Sequence, residues 1–256
     1  MVRVAFVGKG GSGKSTIAGT VARLMARAGE RVLALDVDTM PGLSFSIGLG
    51  RIPDAGLPDD LAERREGKGW VMREEISAAR LVDRYAVEAP DGIRFLQLGK
   101  LPGNVSPASV TAFRHVVETF RTPGWSMVGD LAAGTRQGFA GWAGFVSFLV
   151  IVVEPTRSAM LSAKRLHRVA ETLPEASVGL VVNKVRSDTP VTSLVADLHI
   201  PILALVPYDH DVAMAERLGL APVDQAPGCD AVAAIAGLVS DLRARSSIPL
   251  TSGGTA

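Results

Sequence analysis

Residues 8–16 read Gly-Lys-Gly-Gly-Ser-Gly-Lys-Ser-Thr and follow directly on the apolar run Val4-Ala5-Phe6-Val7. Gly8, four residues, then Gly13-Lys14-Ser15 is the spacing of a phosphate-binding loop. Glycine lets the backbone curl so that successive N–H groups point inward at phosphate oxygens, which makes Gly8, Gly10, Gly11, Ser12, Gly13 and Thr16 the cradle. In such a loop Lys14 reaches the β and γ phosphates as a point charge, and the Ser15 hydroxyl ligates Mg²⁺. The helix that follows adds its N-terminal dipole. A flexible glycine-rich turn is the bland alternative, but strand, loop and helix stand here in the order the motif demands. Lys9 is left over. An ordinary phosphate loop needs no cation at that place, and a second lysine would crowd the first.

Three further groups of residues fall at strand ends. Asp36-Val37-Asp38 follows the second apolar run, where an open parallel sheet binds its ligands. Two carboxylates there suit two jobs, although both could simply cap the next turn. Asp130 ends a later strand and precedes Leu131-Ala132-Ala133-Gly134. Asn183-Lys184 ends another, both expected at the nucleotide, and the Asn183 amide can donate to and accept from a purine edge. A guanine-reading site would place a carboxylate two residues after the lysine. Arg186 stands there and cannot accept a hydrogen bond, which favours ATP over GTP.

The string Lys9-Gly10-Gly11-Ser12-Gly13-Lys14-Ser15-Thr16 resembles the variant phosphate loop of the MinD/ParA group of ATPases, which includes the nitrogenase iron protein and the CooC-type nickel-insertion ATPases. The resemblance extends over nearly the whole chain. It implies that Lys9 is a signature lysine that crosses a homodimer interface to the partner's phosphates. It implies that Asp36 and Asp130 hold Mg²⁺ through water, that Asp38 orients the attacking water, and that the region of Gly134 senses the γ-phosphate. Lys9, Lys14 and Asp38 are then the catalytic residues. Pro207-Tyr208-Asp209 matches the loop that flanks adenine. One departure is Gly129, where a β-branched residue is usual; glycine weakens a strand interior, so this strand is expected to end early.

The likeness is greatest to CooC-type proteins, through Val153-Glu154-Pro155, Asn183-Lys184-Val185 and Pro207-Tyr208-Asp209. Those proteins carry a Cys-x-Cys nickel pair just before a helix. Here that place reads Asn104-Val105-Ser106-Pro107, with no soft ligand. His115, His167, His199 and His210 show no ligand spacing.

Such groups need a scaffold that collects strand ends. Strands are expected at Val2–Val7, Arg31–Leu35, Ile93–Leu98, Ser126–Val128, Phe148–Val153, Val178–Val182 and Ile202–Val206. Helices are expected at Lys14–Ala28, Pro107–Phe120, Ser158–Leu173, Val191–Leu198, Val212–Leu218 and Cys229–Ala244. Alternation of this kind predicts a doubly wound α/β domain, a mostly parallel sheet with helices on both faces. One domain is expected over residues 1–245, with 246–256 a disordered tail and Pro53–Lys68 a mobile surface excursion. With 47% hydrophobic residues the 256-residue chain can bury a large core.

A net charge of +1 supplies no basic field, which argues against a nucleic-acid partner. The single Cys229 excludes an internal disulfide and agrees with a reducing cytoplasm. Met1-Val2-Arg3 passes straight into a strand, so no leader is expected, and the apolar stretch from Phe139 to Val153 is too short to span a bilayer. The expected function is a Mg-ATPase switch, a homodimer around ATP, that serves maturation or remodelling of an unidentified client protein. The alternative is a MinD/ParA-type positioning ATPase on a membrane or DNA. That would call for a basic amphipathic C-terminal helix or clustered cations, and the one mild cluster is Arg157, Lys164, Arg165 and Arg168. A small-molecule kinase would share the phosphate loop but leave Lys9 and Asp38 unexplained.

Overall fold

Eight strands form the central sheet of the computed structural model, which describes residues 1–38, 42–53, 56–99, 105–132, 141–173 and 175–246. In chain order the elements are β1 (Arg3–Gly8), α1 (Lys14–Arg27), β2 (Arg31–Asp36), α2 (Leu43–Ser46), β3 (Ala62–Arg65), β4 (Gly69–Met72), α3 (Ala78–Tyr85), β5 (Val87–Ala89), β6 (Ile93–Gln97), α4 (Pro107–Thr119), β7 (Trp125–Asp130), β8 (Phe148–Val153), α5 (Arg157–Ala170), β9 (Ser177–Val185), α6 (Val191–Val195), β10 (Ile202–Pro207), α7 (His210–Leu218), α8 (Pro222–Gln225) and α9 (Asp230–Ser246). The strand order is β10-β9-β8-β1-β7-β2-β6-β5. Every pair is parallel except β5 with β6.

The apolar runs form strands because both of their faces are covered. All six residues of β8 are buried, and in β1 only Arg3 is not. Side chains alternate between the faces. Ala5, Val7, Leu33, Leu35, Leu149 and Ile151 meet α3, α4 and α5 on one side, through Leu81, Phe113, Val116, Ala163 and Leu166. Val4, Phe6, Val32, Ala34, Val150 and Val152 meet α1 and α9 on the other, through Ile17, Val21, Met25, Ile235 and Leu238. The result is the doubly wound parallel sheet expected from the alternation, with the C-terminal ends of β1, β2, β7, β8 and β9 opening on one edge.

Several local expectations are corrected. β7 does not stop before Gly129 but runs to Asp130. A Cβ on Gly129 would lie 2.7 Å from Phe145 Cζ, so the glycine makes room for a ring that restores the packing a side chain would have supplied. The stretch Pro53–Lys68 contains a 3-10 turn at Asp59–Leu61 and all of β3, which pairs antiparallel with β4 around Gly67 and Gly69, both at positive φ. Its root is tied to α4, where Ser106 Oγ donates to Asp59 Oδ1 at 2.6 Å. α3 and β5 were not anticipated, although Ser77 caps α3 and Leu81 and Val82 supply its apolar face. α7 begins at His210 because Asp209 Oδ1 accepts from the N–H groups of Asp211 and Val212. α9 extends to Ser246; the rest of the expected tail lies outside the described residues.

Candidate functional site

The loop between β1 and α1 is shaped by contacts that only glycine permits. A Cβ on Gly8 would lie 2.3 Å from the Val152 carbonyl oxygen. Gly13 is the N-cap of α1 at φ 87, and a Cβ there would strike Asn183 Nδ2 at 2.2 Å. Between them the Ser12 N–H donates to the Lys9 carbonyl, and Gly11 adopts φ +83. The two lysines part company. Lys14 is 7% exposed, inside the first turn of α1, whereas Lys9 is exposed on the loop's rim. Thr16 is buried on the inner side and Ser15 half-buried.

β9 braces this loop from the side. Asn183 Nδ2 donates to the Ser12 carbonyl at 2.8 Å. Lys184, held at φ 59, donates from Nζ to the Gly11 carbonyl at 2.8 Å and pairs with Glu154 Oε1 at 2.7 Å. Sequence reasoning placed Lys184 at the nucleotide; the structure brings it to the loop's backbone. It did not single out Glu154 as an anchor, since a pairing over 30 residues leaves no local signal.

Asp36 and Asp130 end neighbouring strands directly opposite each other in register. Both are buried, at 0% and 2% exposed. Ser15 Oγ donates to Asp130 Oδ2 at 2.5 Å, while Asp130 Oδ1 has no partner among the described residues. Asp36 Oδ1 accepts from the Asp38 N–H at 3.0 Å, and its Oδ2 accepts from the N–H groups of Gly42 and Leu43, each at 3.0 Å. Asp36 therefore does cap the turn into α2, as the structural alternative allowed. Burial raises the carboxyl pKa of Asp36, and the Asp130 charge raises it further; the Leu43 and Asp38 N–H groups pull the other way. Burial also raises that of Asp130, against the nearby Lys14 ammonium and the Ser15 hydroxyl, with Asp38 adding to the rise. Three carboxylates thus crowd around Lys14 and Ser15.

That donor set fits Mg²⁺. The candidate ligands are hard oxygens, one buried carboxylate oxygen is orphaned, and a cation would offset the burial, and the smaller like-charge repulsion, that hold both pKa values up. No group of three or more His, Cys, Asp or Glu able to hold a metal occurs among the described residues. A site of two carboxylates and a hydroxyl suits an ion that keeps several waters and takes substrate phosphates. Ser106, at the place of the CooC-type cysteine pair, is the N-cap of α4, and His115 Nε2 is bonded to the Ile76 carbonyl oxygen. Asn104 and Gly134 lie outside the described residues.

Beside Gly13 and Thr16 a cleft opens, lined by Asn183, Pro207, Tyr208, Val212 and Glu216. The Arg186 guanidinium lies 4.1 Å over the Tyr208 ring at its edge. Asp209, read from sequence as a nucleotide contact, is engaged as the cap of α7. Sequence reasoning also missed the support behind α1. Arg23, 2% exposed, bonds Asp91 at 2.6 Å, Asp224 through both terminal nitrogens at 2.8 Å, and the Ile47 carbonyl at 3.0 Å. The available signal was an arginine on the buried face of an otherwise apolar helix.

Residues 4–223 match the family model described as the CobQ/CobB/MinD/ParA nucleotide binding domain. An uncharacterised ATP-binding protein of Methanocaldococcus jannaschii is 29% identical over 231 residues, 85% of this chain and 90% of the relative. The carbon monoxide dehydrogenase accessory protein CooC of Rhodospirillum rubrum is 28% identical over 246 residues, 89% and 92% of the two chains. Among solved structures, the MinD cell division protein of Aquifex aeolicus superposes with a TM-score of 0.73 at 21% identity, covering 98% of this chain and 99% of that one. MinD of Pyrococcus horikoshii, complexed with Mg-ADP, does so at 0.68 and 18%, covering 96% and 98%. The fold, the phosphate loop and the extent of the family match lead to one assignment: this chain belongs to the MinD/ParA family of nucleotide-binding domains.

Proposed function

We propose that the protein is a Mg-dependent ATPase that dimerises around ATP and uses the cycle to drive maturation or remodelling of a client protein in the cytoplasm. The observation that carries this reading is the division of labour within one loop. Lys14 is buried beside Asp130 and Ser15, whereas Lys9 stands exposed on the loop's rim, a placement that supports separate roles for the two lysines.

In this reading Gly8 to Thr16 cradle the phosphates and Lys14 neutralises charge on the transferred phosphoryl group. Ser15, Asp36 and Asp130 would hold Mg²⁺, which would supply positive charge against the phosphates. Asp38 orients the attacking water. Gly134 belongs to the segment that senses the γ-phosphate. Asn183, with Pro207 and Tyr208, receives adenine, and Arg186 offers guanine no acceptor. Lys184 and Asp209 act by fixing the loop and α7. Lys9 completes the partner's site. The resemblance to CooC supports the client role, and the absence of a soft pair around Ser106 separates the ATPase from the carrying of nickel.

Light scattering with and without Mg-ATP tests this. Asp38→Ala is expected to bind ATP, hydrolyse it slowly and accumulate as a dimer. Lys9→Ala is expected to lose dimerisation and turnover together while keeping ATP binding through Lys14. An Asp38→Ala protein that stays monomeric at saturating ATP, or a Lys9→Ala protein that dimerises with full activity, overturns the switch.

A further inference from the structure

α5 shows two unlike faces. Ala159, Met160, Ala163, Leu166 and Ala170 are buried against the sheet. The outward face carries Arg157, Leu161, Lys164, Arg165 and Arg168, the spacing of one helical stripe. No acidic residue occurs in the helix, and none of these four cations has an ion-pair partner among the described residues. Amid them Leu161 is 59% exposed and belongs to no core cluster. Beside it a cleft of about 410 Å³ runs between α5 and the segment around α6, lined by Met160, Leu194 and Leu198, with Arg157 and Lys164 on the α5 side and the exposed carboxylate Asp197 on the other. Met160 and Leu198 are the deepest of these. Both of those apolar residues are almost fully buried, so they form a floor rather than a protruding patch.

We propose that this groove docks an acidic segment of a partner protein that inserts one large apolar side chain beside Leu161 and sets its carboxylates against Arg157, Lys164, Arg165 and Arg168. Four cations against the one carboxylate of Asp197 leave this face net positive, which names the partner's sign. The concave apolar floor names its class. A nucleic-acid backbone offers phosphates to the cations but nothing to Leu161 and the pit, whereas an apolar anchor ringed by charge is the anatomy of a protein contact. The approach to α5, rather than the groove itself, is joined to the phosphate loop. Glu154, three residues before α5, pairs with Lys184, which donates to the Gly11 carbonyl. Nothing in the proposal depends on nucleotide, so it stands or falls apart from the ATPase reading.

The test pans a phage-displayed library of random 12-residue peptides against the full chain and measures the enriched peptides by fluorescence anisotropy. Enriched peptides are expected to carry several Asp or Glu around one large apolar residue. Their affinity is expected to fall at least tenfold in Lys164→Glu and in Leu161→Ser, and to weaken with added salt. Arg165→Glu provides a second charge reversal should Lys164→Glu fail to fold, and an unchanged melting temperature certifies each variant. No enrichment, enrichment without the acidic pattern, or binding indifferent to these variants overturns the proposal. So does a 20-base-pair duplex, or phosphatidylserine vesicles, bound through Lys164 at a salt concentration where the peptides are not.

Discussion

Like charges gather twice in this molecule, with opposite consequences. Asp36, Asp38 and Asp130 meet at the ends of β2 and β7, where burial raises the carboxyl pKa values of Asp36 and Asp130. Arg157, Lys164, Arg165 and Arg168 meet on the open face of α5, where water screens them. The inner cluster is enclosed, bonded to backbone N–H groups and a serine, and shaped for a small hard cation. The outer one is open to solvent on an ordered helix, and suits an extended partner of opposite sign. Depth, more than charge count, decides which ion each can select. The inner group pays desolvation whether or not a ligand comes, and the outer group does not.

The sharpest break in that comparison comes at Lys14, the cation buried among the inner carboxylates. Lys14→Ala is expected to lose ATP binding, a change of order 2–5 kcal/mol, since a desolvated charge loses its partner. Isothermal titration with Mg-ATP checks it, and unchanged affinity refutes the role.

Next in size is the pH response of the inner pair. For a carboxyl whose folded pKa is raised, the stabilisation is fully present below the unfolded value of about 4 and is lost as pH rises through the folded value. The metal-free protein is therefore expected to melt at progressively lower temperature as pH rises above about 4. Mg²⁺ is expected to restore more stability at the upper end of that range than at the lower. Asp36→Asn should flatten both trends. Calorimetric scans across pH, with and without Mg²⁺, decide; a melting temperature that climbs with pH in the same window contradicts the assignment.

The smallest effect belongs to the outer cluster. Lys164→Glu or Arg165→Glu should change stability by no more than about 0.5 kcal/mol, as for surface substitutions that break no cap, core contact or buried pair. Urea titration would show it, and a loss of several kcal/mol would mean that the stripe holds the fold together.

What was legible in the sequence was whatever repeats or sits next to itself. The phosphate loop was readable because Gly8, Gly13 and Lys14 act through backbone a few residues apart. β8 was readable because Phe148–Val153 is buried on both faces and so apolar at every step. The alternation of strands and helices then fixed the parallel sheet. Contacts across long separations were not legible. Arg23 reaches Asp91 and Asp224 over 68 and 201 residues, and Lys184 reaches Gly11 over 173, with no periodicity to announce them. Gly129 misled for a related reason. A strand-weakening residue is judged locally, but its room is filled by the Phe145 ring from another segment. Asp36 was read as ligand or cap, and its geometry serves the cap while leaving it beside Asp130.

The Arg23 junction also has a mechanical meaning. The loop after β2, which carries Asp38, leads into α2, and the carbonyl of Ile47 just past α2 is fastened to Arg23 on α1. Gly48, at φ +88, lies so close behind that a Cβ would sit 2.6 Å from the Arg23 Nη1. Ile47 beyond α2, Asp91 before β6 and Asp224 of α8 are thus fastened to one side chain of α1, so that three segments far apart in the chain share a single anchor.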